Sequence, residues 1–298
     1  MPVTDLLPYD LPAYAAALDH LGQPQPIDGW PATMLRRAIP GADGCQDAMG
    51  PWPYSSAPPP DVLAGVLSQG RDAGIVTLRA VLRPDQPPSC EALRRDGFEL
   101  VPLKEHFVFD PTLDLPERGA RTRRNLRQAQ RRWHVEPVAL ADHWQAIGDW
   151  HDALVARRRF DRITTLRREH FAAIAGIEGF DSLGAFDRDG LGAMLVACRS
   201  HASMHFHIVA GTDRVYRTAG FYALYEAAIR RWAGPRTLYL GGAPEGPDGD
   251  GIARFKCRFA NRRAPVWMLI ATPDPQACER LRTSLGPSRP GWFPPYRG

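Results

Sequence analysis

Lysine is nearly absent from this chain: of 37 basic residues, 35 are arginine, and only Lys104 and Lys256 remain. With heavy Ala, Pro and Gly usage, the bias reads as a G+C-rich coding sequence, which turns an indifferent lysine into arginine. A lysine that persists marks a place for a compact point charge on a flexible stem, where arginine offers a planar fork that never deprotonates. Lys256 stands in "GIARFKCRFAN", after the Gly-rich stretch "GAPEGPDGDG". Read from the sequence, a helix begins after Gly251 and holds the Lys256 ammonium near its N-terminal dipole, where the field also favours an anion. Such a cation can stabilise negative charge developing on a reacting oxygen, an effect of roughly 10²–10³ in rate per well-aimed donor. The neighbouring Phe255 is a second candidate, although an aromatic beside a charge also fits a core position.

Other residue types are arranged for chemistry. His205 and His207 are two apart on an apolar run and so face one side of a strand. Either could act as a proton acceptor near neutral pH, or serve as a hydrogen-bonded core histidine. No third ligand at metal spacing accompanies them, so no metal site is predicted. "RTRRNLRQAQRR" (121–132) holds six arginines, among them Arg123, Arg124 and Arg127, and no acid; "RRRFDRITTLRR" (157–168) holds six more and one aspartate. Two such runs favour a polyanionic partner: RNA, a nucleotide-linked substrate or coenzyme A. Trp52 and Tyr54 in "PWPYSSAPPP" are candidates for an acceptor pocket. The chain lacks G-x-S-x-G, G-x-x-x-x-G-K-[ST] and H-E-x-x-H, which argues against hydrolase, P-loop and zincin chemistry.

The elements that must position these residues follow from length and periodicity. The chain has 298 residues, 44% of them hydrophobic, enough for two domains or two fused halves. No apolar run is long enough to span a membrane. The N-terminus has no basic region followed by an apolar stretch, so no secretion signal is expected. Five cysteines, odd in number and scattered, predict a reducing cytoplasm without disulfides. The first hundred residues are rich in proline turns, with a helix expected around Leu11–Leu21 and a strand at "GIVTLRAVL". A helix, Gly97 and a long strand to Asp110 follow. Residues 121–132 are expected to be helical, because Leu126, Ala129 and Trp133 recur at i, i+3 and i+7 opposite the arginines. From 134 to 271 the pattern reads β-α-α-β-β-β-α-β-α-β.

That order resembles the GNAT (Gcn5-related N-acetyltransferase) fold, whose sheet splays after its fourth and fifth strands to admit the acyl donor. The helix-Gly-strand closing the first half resembles the end of the same fold. The expected fold class is therefore α/β with a mixed sheet, two GNAT-like halves in tandem: a degenerate half over 1–115, and a second over 116–298 whose tail packs back on the first. The tandem, the arginine helix "TRRNLRQAQRR", "LYLGG", the Gly-rich loop and "FKCRF" together resemble the Fem family of aminoacyl-tRNA-dependent transferases and its acyltransferase relatives. The resemblance implies Phe255 and Lys256 at the active site, the lysine stabilising the oxyanion formed when an amine attacks an ester or thioester, with Gly241 and Gly242 on the donor side and no metal or bound cofactor. The GNAT coenzyme A signature [RQ]-x-x-G-x-[GA] is met in part by "RTAGFYA": Arg217 and Gly220 fit, whereas Tyr222 stands at the small position and would hinder approach to a pyrophosphate. The resulting expectation is a cytoplasmic transferase moving an aminoacyl group from aminoacyl-tRNA to a small-molecule or peptide amine. The alternatives are an acyl-CoA-dependent N- or O-acyltransferase of the same fold, and a non-catalytic RNA- or polyanion-binding module.

Overall fold

The computed structural model describes residues 6–86, 90–158, 165–244, 247–286 and 293–297. It divides into two compact units, the first drawn from residues 1–8 and 104–265, the second from 9–103 and 266–298. Neither unit is contiguous, so the division differs from a single cut at 115/116. The cause is strand pairing. The long strand β5 (Phe98–Phe109) gives its end to the first unit, where Phe107–Phe109 pairs with β10 (Thr237–Gly241). The late strand β11 (Arg262–Ala271) gives its end to the second, where Met268–Ala271 pairs with β4 (Ile75–Val81).

The second unit contains β1 (Gln23–Gln25), β2 (Met34–Ala38) and β3 (Gln46–Met49) in the order β1-β2-β3-β4-β11. All neighbours are antiparallel except β3 and β4. The proline-rich reading of this region did not foresee β1 to β3, nor the helix α2 (Leu63–Asp72), and the expected helix at Leu11–Leu21 is only α1 (Pro12–Ala16). Short strands gain their order from pairing and carry little periodic signal of their own. Trp30, Met34, Val66, Leu78, Phe98 and Leu269 form the main core with Leu93 of α3 (Cys90–Arg95), and the closing helix α10 (Pro275–Leu285) packs Ala277 and Leu281 into a smaller cluster with Ile39, Val76 and Tyr296. The tail is tied to its own unit: Tyr296 Oη lies 2.6 Å from Thr77 Oγ1, and Arg297 pairs with the buried Asp47.

The first unit follows the predicted alternation closely. Its strands β6 (His134–Pro137), β7 (Phe180–Asp187), β8 (Gly190–Arg199) and β9 (Ser203–Gly211) join β5 and β10 in the order β5-β10-β9-β8-β7-β6. Only β9 and β10 are parallel, and they pair over just three residues, Thr237–Tyr239 with Ser203–His205. Beyond that point β9 runs on to Gly211 beside β8 alone, which is the opening expected between the fourth and fifth strands of a GNAT-like half. One face of the sheet is covered by α4 (Ala120–Arg132) and α8 (Gly220–Trp232), burying Leu126, Ala129, Trp133, Leu224 and Ala228 on Leu195, Met204, Phe206 and Leu238. The other face meets α5 (Leu140–Arg158), which packs on α6 (Arg168–Ile174).

Two junctions fix the functional end of this unit. Trp133 donates its indole N–H to Thr218 Oγ1 at 3.1 Å, and a Cβ on Gly192 or Gly220 would lie within 2.9 Å of its ring. Those glycines are therefore required by close approach. At the other junction Asn261 accepts from Asp110 N at 2.8 Å, and its amide donates to Asp110 O and Leu113 O at 2.8 and 2.9 Å. The chain leaving the helix that carries Lys256 is thereby tied to the end of β5. Asn261→Ala removes three hydrogen bonds and leaves three backbone groups to resatisfy. We expect it to lower the unfolding free energy by about 2 kcal/mol, read as a shift of the urea midpoint at unchanged m-value.

Candidate functional site

Lys256 is the last residue of α9 (Pro247–Lys256) and not near its start. The expectation of a helix beginning after Gly251 is corrected: the helix accommodates Gly249 and Gly251. Glycines inside a helix cost about 1 kcal/mol each, and tertiary packing offsets that cost here. Phe255 lies 4.9 Å from Tyr225 and 5.1 Å from Tyr222, near edge-on to both, and 5.2 Å from Phe259. This aromatic cluster docks α9 onto α8. The ammonium is consequently at the negative end of the helix dipole, which favours a cation and lends nothing to a bound anion.

The Lys256 amine donates to the carbonyl of Gly242 at 2.7 Å. The register between β10 and β5 slips by one residue between Tyr239 and Gly241, and this bulge turns the chain so that the carbonyl meets the lysine. Gly241 has φ +80°, and a Cβ there would lie 3.1 Å from Lys256 Nζ. A Cβ on Gly242 would lie 3.0 Å from the His106 ring and 3.2 Å from the Lys104 side chain. Two glycines are needed because the chain passes between three side chains. Lys104 and His106 stand on β5, His106 buried and Lys104 exposed. Burial, then the charge of Lys104, brings the Lys256 amine down to about 7. Burial, followed by Lys104, Lys256 and His205, brings His106 down to about 2, so its ring stays neutral.

The two strand histidines share a face but have separate surroundings. His205 is stacked on Tyr239 at 4.7 Å, with Nε2 2.9 Å from Ser203 Oγ, and it is a neighbour of the lysine site through its effect on His106. His207 sits beneath α6, its Nε2 3.2 Å from that of His170, and burial together with His170 and His151 lowers its proton affinity. Among the described residues no cluster of three or more His, Cys, Asp or Glu could hold a metal.

Around the donor-signature segment, Arg217 is exposed at the end of α7 (Asp213–Arg217), and Gly220 opens α8 after Ala219 at φ 59°. The Tyr222 ring turns into the aromatic cluster with Phe255 and Phe259. Two amides of this turn are used within the chain: Thr218 N donates to Arg214 O and Tyr222 N to Ala219 O, at 3.1 and 2.9 Å. On α4, Arg124, Arg127 and Arg131 recur at i, i+3 and i+7 and, with Arg121, are exposed opposite the buried face. These four make no ion pair among the described residues. Arg123 pairs with Glu117 and Arg132 with Asp187. Arg123 and Arg127 also line an open groove of about 510 Å³ with Arg118, Gln130, Glu226 and Arg230. Residues 159–164, the middle of the second arginine run, lie outside the described residues. Trp52 and Tyr54 belong to the second unit, where Tyr54 is buried 6.1 Å from Tyr9 and the Trp52 carbonyl accepts from Tyr14 Oη at 2.6 Å.

No family model and no curated protein matches the sequence. Solved structures do. FemX is 10% identical, covering 92% of this chain and 93% of its own, with a TM-score of 0.65. The protein has the Fem-like GNAT fold. The C-terminal domain of an Agrobacterium fabrum protein assigned as a lysylphosphatidylglycerol synthetase is 15% identical, covering 92% of this chain and 91% of that one at a TM-score of 0.61. L-PGS from Bacillus licheniformis is 11% identical, with coverage of 92% and 95% at 0.54. At these identities the likeness is one of Fem-like fold. The lysine site is built from this chain's own geometry. Sequence reasoning missed Lys104 and His106 as members of it. The rarity that singled out Lys256 applies equally to Lys104.

The depressed proton affinity of Lys256 has a signed consequence. In the unfolded chain the amine holds its proton to about 10.5, in the folded protein only to about 7. Between those values the unfolded state binds more protons, so this group makes stability rise with pH, and the contribution is lost as pH falls through 7. Lys256→Met has no such titration. The stability of wild type relative to the variant is expected to climb steadily from pH 7 to pH 10, measured by parallel chemical denaturation. A flat difference would show that the amine is not perturbed.

Proposed function

We propose that this protein forms an amide bond by transferring an aminoacyl group from aminoacyl-tRNA to an amine acceptor, with Lys256 stabilising the oxyanion. The observation that carries the reading is the Lys256 amine, held by the Gly242 carbonyl in a desolvated cradle at the end of β10, the strand that parts from β9 after Tyr239. An acyl carbonyl entering that opening meets a donor whose strength rises in a water-poor setting, where a single hydrogen bond to the developing charge is worth most. Phe255 acts by docking α9, and so sets where the amine points.

The donor is read from charge and backbone together. The stripe Arg121, Arg124, Arg127 and Arg131 presents four guanidinium groups that make no ion pair among the described residues, at helix spacing suited to successive phosphates of a nucleic-acid backbone. The turn before α8 spends two amides internally, which leaves fewer for a pyrophosphate cradle. Lysylphosphatidylglycerol synthetase, the name borne by one neighbour, also describes an aminoacylated product. A second reading, transfer from acyl-CoA, is favoured by Gly220 at the start of α8 close behind the opening of β9. Among the described residues no helix is long and apolar enough to cross a membrane.

The test is transfer from charged tRNA to a panel of amines, with salt-dependent binding of deacylated tRNA and of CoA alongside. Binding of tRNA is expected to fall steeply with salt, by roughly 0.7 log units per log unit for each single-strand phosphate contact. Tight CoA binding with a shallow slope and no affinity for tRNA would reverse the assignment of donor. Steep tRNA binding without transfer to any amine would favour a binding module. Lys256→Ala should fold and lose roughly 10²–10³ of the transfer rate. Replacing Arg124, Arg127 and Arg131 together by Gln should weaken tRNA binding and flatten its salt slope while leaving the melting temperature nearly unchanged, because exposed unpaired arginines contribute little to folding.

A further inference from the structure

Both lysines of a chain otherwise committed to arginine arrive at one glycine pair, Lys256 from the end of α9 and Lys104 from β5. An oxyanion donor alone does not require this. Arginine would supply a permanent charge, and a second cation beside it would be repelled. The arrangement instead suits an amine that must exist without its proton at neutral pH. Amide formation also needs an acceptor for the proton of the attacking amine, and the buried histidines are poorly placed for that. His207 is engaged with His170, His205 is stacked on Tyr239 and bonded to Ser203, and the neutral His106 ring is too weak a base.

We propose that Lys256 is also the base that takes the proton from the attacking amine, and that Lys104, which reaches the same glycine pair from β5, is the positioning residue for that role. The inference rests on the acyl-transfer reading of this site. As the acceptor nitrogen bonds to the acyl carbon, its proton passes to Nζ of Lys256 and the carbonyl electron pair moves to oxygen. The new ammonium and the new oxyanion arise together, so the charge that stabilises the intermediate is made in the step that needs it. When the oxyanion collapses, the bond to the leaving ester oxygen or thioester sulfur breaks, the leaving atom takes the proton from Lys256, and the amine is neutral again. Lys104 acts through its charge. Among the described residues the titratable groups facing Lys256 are Lys104 and His106 from β5, with His205 of β9 acting on His106. Gly241 and Gly242 are uncharged. Arg254 and Arg258 of its own segment point elsewhere: Arg254 is exposed and Arg258 lies over Tyr222. Among the described residues no carboxylate contributes to the proton affinity of Lys256.

A chain with two lysines allows a clean experiment. Protein labelled with ¹³C,¹⁵N-lysine is titrated by NMR, the Lys256 signal being assigned by its loss in Lys256→Arg. The Lys256 midpoint is expected near 7, and in Lys104→Met at least about one unit higher as the neighbouring charge disappears, with Lys104→Arg restoring it. The pH profile of kcat/KM for transfer should rise with pH through the same midpoint and move with it in Lys104→Met, a response that loss of packing alone would not produce. A Lys256 midpoint near the ordinary lysine value, or one indifferent to Lys104→Met, overturns the proposal and leaves the transfer reading standing. Coupled midpoints in a protein that transfers nothing at any pH would instead sink the transfer reading, and the base role with it.

Discussion

The hydrogen bond from Lys256 to the Gly242 carbonyl is the constraint around which the first unit is arranged. A half-buried amine needs a partner, since a donor left unpaired away from water costs about 1–3 kcal/mol. Among the described residues its partner is the Gly242 backbone carbonyl, which reaches the amine because β10 bulges. The bulge in turn demands a residue at positive φ, and the next position has no room for a side chain. Gly241 and Gly242 are thus consequences of where the lysine must stand. The aromatic cluster of Tyr222, Tyr225, Phe255 and Phe259 fixes the other end of the geometry by pinning the helix from which Lys256 departs.

Charge operates on two length scales in this unit. Close to Lys256, within a glycine pair, desolvation and one neighbouring cation decide whether an amine carries a proton. Burial sets most of that effect, since Lys104 itself is exposed. On α4, guanidinium groups one helical turn apart stand in water, where their attraction for phosphate is long-ranged and salt-sensitive and their effect on folding small. The first arrangement is suited to a bond-forming step and the second to holding a large anion. A lysine serves the former because its proton can leave, and arginines serve the latter because theirs cannot.

Much of the first unit was legible in the chain itself. The α4 face follows from Leu126, Ala129 and Trp133 at helical spacing, and β7 to β9 follow as the three successive strands of the pattern read from 134 to 271. Local periodicity records which side of an element is dry. The second unit was much less legible. Strands of three to five residues such as β1 to β3 are too short to display a period, and their order comes from pairing with β4. The start of α9 was misplaced for a related reason: glycines at 249 and 251 read as loop, and only the docking of Phe255 on α8 explains a helix through them.

What the sequence alone determined was which lysine stands apart and the alternation of elements that carries it, because residue rarity and apolar spacing are properties of the chain read in order. What only the tertiary structure decided was that Lys104 and His106 share the site, that β5 and β11 each complete a sheet in a different unit, and that the Lys256 amine is a neutral-pH acid rather than a fixed charge. Strand partners and proton affinities depend on groups brought together from distant parts of the chain, and burial, which sets the largest part of the Lys256 shift, exists only once those parts have packed.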